Sequence, residues 1–260
     1  MKRSSRARIG ATATVSVLSL ALITGCGGGS DDDSKESGTS KESSASSEST
    51  TSAAKALGAA ELEKLLLAKG DAAGYQADDG DDTLPKAKSE VKTDKAECAP
   101  LAHAMAGLAP GDTDASASNT LTKSPEATGS PDASSLETLN VSMTFVGLSS
   151  YDGDGAEKAL KAVSDGIAAC SGGFTITAQG ETQKITKVAA GKASGKGDQS
   201  VAFSVGSDMD GEGTATFNTE VVRAGNAVST YYSVDFASLD SGKAAPVPAA
   251  VVDAQLAKLK

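Results

Sequence analysis

An α+β domain is what this sequence predicts: an antiparallel β-sheet laid out as a meander, helices packed on one face, and one disulfide. Three observations lead there. Much of the C-terminal half alternates apolar and polar residues with a period of two, interrupted by tight-turn pairs. Earlier segments carry apolar residues at helical spacing instead. Finally, Cys98 and Cys170 form an even pair once the chain's third cysteine, Cys26, is set aside.

The elements follow in order. Residues 59–69 place Leu62, Leu65 and Leu66 on one helical face, and Gly70 is a natural stop. A second amphipathic stretch, 94–105, contains Pro100, so its helix is expected to break near Cys98. Residues 109–138 are rich in Pro, Gly, Ser and Asp, and read as a long loop with at most a short strand at 120–122. In 139–148, Val141, Met143 and Phe145 alternate with Ser142 and Thr144, the pattern of a half-buried strand. The clearest helix is 155–170, with Asp154 as its cap and Glu157 completing a capping box. Leu160, Val163, Ile167 and Cys170 share one arc, which carries Cys170 to the buried side. Strands at 174–177 and 182–188 flank Gln179-Gly180 as a hairpin. Further strands at 201–205, 214–223 and 227–236 are joined by Asp210-Gly211 and Gly225-Asn226, and a helix at 249–260 closes the domain.

Cys98 and Cys170 are expected to bond, closing a loop whose entropy is worth about 4 kcal/mol. Two free buried thiols are the alternative. A zinc shell is disfavoured, because two cysteines and the chain's one histidine leave it incomplete.

The start of the chain has a different character. Lys2, Arg3, Arg6 and Arg8 precede an apolar stretch, 9–24, that is shorter than the ~18 to 20 apolar residues a membrane span needs. This is the layout of a secretory signal. Its end, Ile23-Thr24-Gly25-Cys26, resembles the lipobox of bacterial lipoprotein precursors. That resemblance implies cleavage after Gly25 and a diacylglyceryl group, palmitate among its acyl chains, on the Cys26 sulfur. It places the protein on the outer face of the cytoplasmic membrane, since two acyl chains make a stable anchor. Residues 26–52 then read as the lipidated cysteine and an acidic, Ser-rich tether, with no large apolar residue to repay ordering. As a coil it would span on the order of 30 Å. Residues 53–260 are expected to be a single domain.

Composition narrows the function classes. The chain carries a net charge of −10, and removal of residues 1–25 takes away four basic residues and no acidic one. Such a balance disfavours nucleic acid, which is bound through basic patches. It equally disfavours docking on anionic head groups. Aromatic residues make up 3% and tryptophan is absent, so a platform for stacking sugar rings is not expected.

Several short segments resemble lipoproteins of high-GC Gram-positive bacteria and, more distantly, the PknH-like extracellular sensor domain family. They are the leucine-rich 62–70 with 71–75, Cys98-Ala99-Pro100-Leu101, Cys170-Ser171-Gly172-Gly173-Phe174, and Gly197-Asp198 before the strand VAFSV. The resemblance implies a sheet with flanking helices, disulfides, and a cleft for an envelope ligand. It supplies no catalytic residues. The sensor domains carry two disulfides, whereas this chain can form one.

No catalytic constellation is legible. His103 is the single histidine, and no G-x-S-x-G elbow accompanies it. Ser89-Glu90-Val91-Lys92 fits S-x-x-K, but the companion motifs of penicillin-binding enzymes are missing. The glycine-rich 191–197 lacks the P-loop spacing and reads as a loop between strands. Two acidic turns, 152–155 and 208–212, lack the glutamate that closes a calcium loop, and fit capping and hairpin geometry better. The expectation is therefore a lipid-anchored, non-enzymatic module without metal or cofactor, binding a small molecule, lipid or cell-wall fragment, or sensing one. The alternative is a lipoprotein that assists an envelope complex through protein contacts and has no pocket.

Overall fold

Three central strands carry apolar side chains on both of their faces, and this decides the architecture. Phe145 and Val146, Val221 and Val222, and Tyr231 and Tyr232 are adjacent in sequence, so each pair points to opposite sides of the sheet. Both sides therefore need a cover. The computed structural model describes residues 55–78, 84–123, 141–209, 213–236, 238 and 244–260. The segments 1–25 and 26–52, with Ile23, Thr24, Gly25 and Cys26, lie outside these residues, as do 124–138 and the Asp210-Gly211 turn.

Among the described residues the sheet has nine strands: β1 (Tyr75–Asp78), β2 (Val91–Thr93), β3 (Ser116–Lys123), β4 (Ser142–Ser150), β5 (Phe174–Ala178), β6 (Glu181–Ala190), β7 (Gln199–Asp208), β8 (Thr214–Ala224) and β9 (Ala227–Asp235). Their spatial order is β1-β3-β4-β9-β8-β7-β6-β5-β2. Every pairing is antiparallel. Strands β5 to β9 form the expected meander. Gln179 and Gly180 turn the β5–β6 hairpin with φ of 53° and 85°, as a two-residue turn of matching twist requires. Gly225, at φ 61°, serves the β8–β9 turn.

Four α-helices accompany the sheet among the described residues: α1 (Ala59–Leu65), α2 (Ala99–Met105), α3 (Gly155–Ala169) and α4 (Ala249–Lys258). The α+β class and the antiparallel sheet are as expected. The helices, however, divide between the two faces instead of sharing one. On the first face, α2 and α3 bury Leu101, Ala104, Leu160 and Val163 against Phe203, Val205, Val221 and Val228. On the second, Leu67 and the Val251 and Val252 of α4 pack with Leu121, Val146, Val222 and Tyr231. Alternation along β4, β8 and β9 places these two clusters on opposite sides of the same strands.

Other boundaries moved for local reasons. The region read as a long loop contains an eight-residue strand, β3, because Thr120 and Leu121 are buried beside β4. The first helix stops at Leu65, and Leu66 turns extended with ψ of 152°. Continuing the helix would swing Leu67 away from the face of Leu62; leaving it lets Leu67 reach the core, where it is 2% exposed. Pro100 sits in the first turn of α2, directly after a single 3-10 turn at Ala96–Cys98, so the expected break is present. Asp154 does not cap α3 through its side chain; its carboxylate pairs with Lys158 at 2.8 Å instead. Glu61 provides such a contact for α1, accepting a bond from the Gly58 N–H at 2.9 Å.

Cys98 and Cys170 are bonded, with Cα atoms 5.9 Å apart and both residues fully buried. The bond fastens the start of α2 to the end of α3. Where the α2 turn crosses the sheet, Gly147 permits the approach: a Cβ there would stand 2.3 Å from the Gly107 carbonyl oxygen and 2.6 Å from the Thr230 hydroxyl. The obstruction is backbone, which cannot rotate aside. Gly147→Ala should accordingly destabilise the domain by about 2 kcal/mol or more in urea unfolding. Gly180→Ala, where the added carbon meets nothing within 4 Å, should register only the smaller strain of its positive φ.

Candidate functional site

An open surface groove lies beside α3. There β6 ends at Ala190, while β7 begins nine residues later at Gln199 and runs back along it. The Gly191 N–H donates to the Ala202 carbonyl at 2.8 Å, and beyond that bond the chain leaves the sheet. The C-terminal half of α3 lies alongside, and an open groove of about 610 Å³ remains between them. Its walls are small: Ser164, Ala168 and Ser171 from the helix side, Ala190, Ser200 and Ala202 from the strand side. Ile167 and Val188 form apolar floor. Short side chains on both walls keep the groove wide, and only hydroxyls and peptide groups offer polar contacts along it.

The glycine-rich loop 191–197 closes one end, and it does more than join two strands. Ser194 gives both its backbone N–H, at 2.8 Å, and its hydroxyl to the same carboxylate oxygen of Glu220. Glu220 is 5% exposed, so this acceptor is nearly removed from water. Lys196 then reaches Asp253 and the Ala249 carbonyl on α4. Gly197 makes the fold-back possible, at φ 68°, with a Cβ there standing 2.4 Å from the Arg223 carbonyl oxygen. Asp198 completes the corner by accepting from the Gly225 N–H at 2.7 Å and facing Arg223 at 3.4 Å. A buried carboxylate held by one serine was not apparent from sequence, because Glu220 sits in the strand run TFNTEVV as an ordinary polar residue. The only available cue was its position among strand residues apolar on both faces.

Tyr231, opposite Glu220 on β9, has its phenol pushed well above its ordinary value, chiefly by burial. The Ser229 hydroxyl offsets part of this, and the negative charges of Glu220 and Asp253 add to it. The group stays protonated throughout the physiological range.

The remaining sequence candidates are scattered. Ser89 and Lys92 are both exposed, on a 3-10 turn and on β2, and no hydrogen bond joins them among the described residues. In the turn 152–155, Asp152 accepts the Ala56 N–H at 3.0 Å and Asp154 is committed to Lys158. Of 208–212, residues 210–212 lie outside the described residues. Among the described residues, no group of three or more His, Cys, Asp or Glu is placed to hold a metal ion. Cys98 and Cys170 are consumed by their bond. No helix of the described residues is long and apolar enough to cross a membrane.

His103 lies on α2, half-buried. Burial, followed by the nearby charge of Lys88, depresses its imidazolium to a pKa of about 4 from 6.5. No hydrogen bond joins its ring to a side chain among the described residues.

These features define a disulfide-bonded α+β domain with an open, small-walled groove on one face and a carboxylate-centred latch at the groove's end. No family model matches the chain, and no curated protein does. Among solved structures it is similar to the extracellular domain of PknH from Mycobacterium tuberculosis, at 13% identity and a TM-score of 0.45, over 79% of this chain and 95% of that one. A likeness of that degree says nothing about ligand or role.

The depressed His103 has a measurable consequence. Between about pH 6.5 and 4 the unfolded chain binds a proton there that the folded chain does not, so stability falls as pH drops through this window. Comparing urea unfolding at pH 7 and pH 5, His103→Gln should lose less stability than the parent, and the imidazole resonance of the parent should stay neutral above pH 5.

Proposed function

We propose that the chain is a lipoprotein, anchored through Cys26 to the outer face of the cytoplasmic membrane, whose folded domain is a non-enzymatic, ligand-binding or sensor-like module. The observation that carries the binding half of this reading is the groove between α3 and the β6–β7 corner. Its volume of about 610 Å³ falls in the range of ligand sites, and its lining is mostly apolar with a few hydroxyls. An open groove with short walls accommodates an elongated ligand better than a compact one. That favours an acyl chain or a cell-wall fragment over a small rigid metabolite.

The anchoring half rests on Ile23-Thr24-Gly25-Cys26 after a basic and apolar leader. A buried disulfide accords with folding in an oxidising compartment outside the cytoplasm. The non-enzymatic reading rests on His103, Ser89 and Lys92 being apart from any partner that would activate them. Docking through a large apolar patch has less in its favour, since Phe236 alone is an exposed large apolar side chain among the described residues.

Two measurements test the proposal separately. Cys26→Ser should abolish labelling by radioactive palmitate and shift the protein from the membrane fraction to the soluble one; retained label would overturn the anchor. For the groove, Ala168→Trp together with Ala190→Trp places bulk on two exposed positions without touching the core. Native mass spectrometry of the protein from its own envelope should find an added mass on the parent and at least about tenfold less on this variant. Equal retention on both would remove the groove from consideration.

A further inference from the structure

The β6–β7 corner leaves part of a strand without a neighbour, on the side where the groove lies. The last rung of the β6–β7 pairing sets Ala190 opposite Phe203, and a single bond follows it, from the Gly191 N–H to the Ala202 carbonyl at 2.8 Å. Toward its start β7 extends further, with Val201, Ser200 and Gln199 paired to Val221, Val222 and Arg223 of β8. Among the described residues no strand pairs with these three on their other side. The N–H and C=O of one strand residue point to the same neighbour, and those of the next residue point to the other. Because the Ala202 carbonyl faces the β6 side, the Ser200 N–H and carbonyl face it too.

The loop 191–198 does not take the missing place. It reaches instead to Glu220 through Ser194 and to α4 through Lys196, and it meets the Ser200 hydroxyl, which accepts from the Gly195 N–H at 3.0 Å. Among the described residues no backbone bond joins this loop to the Ser200 N–H or carbonyl. Ser200, Val201 and Ala202 line the groove, as do Ser164 and Ala168 of α3. No charged side chain belongs to the lining. The short side chains of Ser164, Ala168 and Ala190 leave room for a backbone to come alongside β7.

We infer that the groove takes a neutral, extended peptide, which lies beside β7 as a short added strand. The inference rests on the groove being a ligand site, as proposed above, and selects the class of ligand. A peptide residue opposite Ser200 accepts from its N–H and donates to its carbonyl, the exchange made by any hydrogen-bonded antiparallel pair. An acyl chain in the same place would cover both groups and offer them no partner, which is unfavourable. Of the elongated ligands an open groove accommodates, the one that carries amides therefore fits.

Titration of the purified full chain with capped tetra-alanine, followed by NMR of the backbone amides, tests this. The Ser200 amide should shift downfield and saturate. Ser200→Pro removes that N–H without removing a bond to β8, and should weaken binding at least about tenfold. Ser200→Ala loses the same hydroxyl but keeps the N–H, and should stay within about threefold of the parent. Tetra-alanine methylated on its backbone nitrogens probes the other half of the pair on an unaltered protein, and should bind at least about tenfold more weakly. Unchanged binding by Ser200→Pro or of the methylated peptide, or no saturating shift at Ser200 in the parent, would overturn the inference. The groove itself is judged separately. An envelope mass lost from the variant carrying Ala168→Trp and Ala190→Trp, yet kept by Ser200→Pro, would leave the groove as a ligand site and defeat the peptide.

Discussion

The structure depends on a constraint set by three strands. Because β4, β8 and β9 bear apolar side chains on alternate positions of both faces, neither side of the sheet's centre can be left to solvent. One helical layer would leave Val146, Val222 and Tyr231 exposed; two layers bury both sets. Among the described residues four modest helices meet this requirement, the longest of them α3 with 15 residues. Each needs the sheet, since helices of two to four turns are marginal alone.

The two layers are secured by different physics, and this separates their roles. On the first face Cys98–Cys170 joins α2 to α3, and the approach of Gly107 to Gly147 brings the backbone of the α2 turn nearly onto the sheet. A covalent bond and a close backbone contact thus hold the layer that contains α3, the wall of the groove. On the second face the loop carrying Ser194 and Lys196 links Glu220 to α4 by hydrogen bonds and one ion pair. The loop therefore touches both the groove's end and the cover of the opposite side. The groove and α4 are in this sense neighbours through a single short segment, 191–198.

Much of the sheet could be read from the residues, and the reasons for the failures are specific. The hairpins at Gln179-Gly180 and Gly225-Asn226 were legible because turn chemistry and alternation agree there. α3 was legible through its apolar arc, and the disulfide through cysteine arithmetic. The strands β1, β2 and most of β3 were missed, since they are short or rich in Ser, Thr and Asn and owe their form to neighbours across the sheet. The placement of helices on one face ignored the doublets Phe145-Val146, Val221-Val222 and Tyr231-Tyr232, which already required two covers. At the site, sequence singled out His103 and the glycine-rich loop, but gave no access to Glu220 or to the groove. Both arise from where β6 stops, a property of the fold that no local pattern encodes.

The first and last helices of the domain are partners: Lys258 and Gln255 bond to the carbonyls of Leu66 and Leu65, some 190 residues away along the chain. A ribosome makes α1 before, and α4 after, every other described element of the domain. Until α4 emerges, Leu67, Leu121, Val146, Val222 and Tyr231 lack the two valines, Val251 and Val252, that pack over them. The arrival of α4 is thus the step that seals this side of the domain.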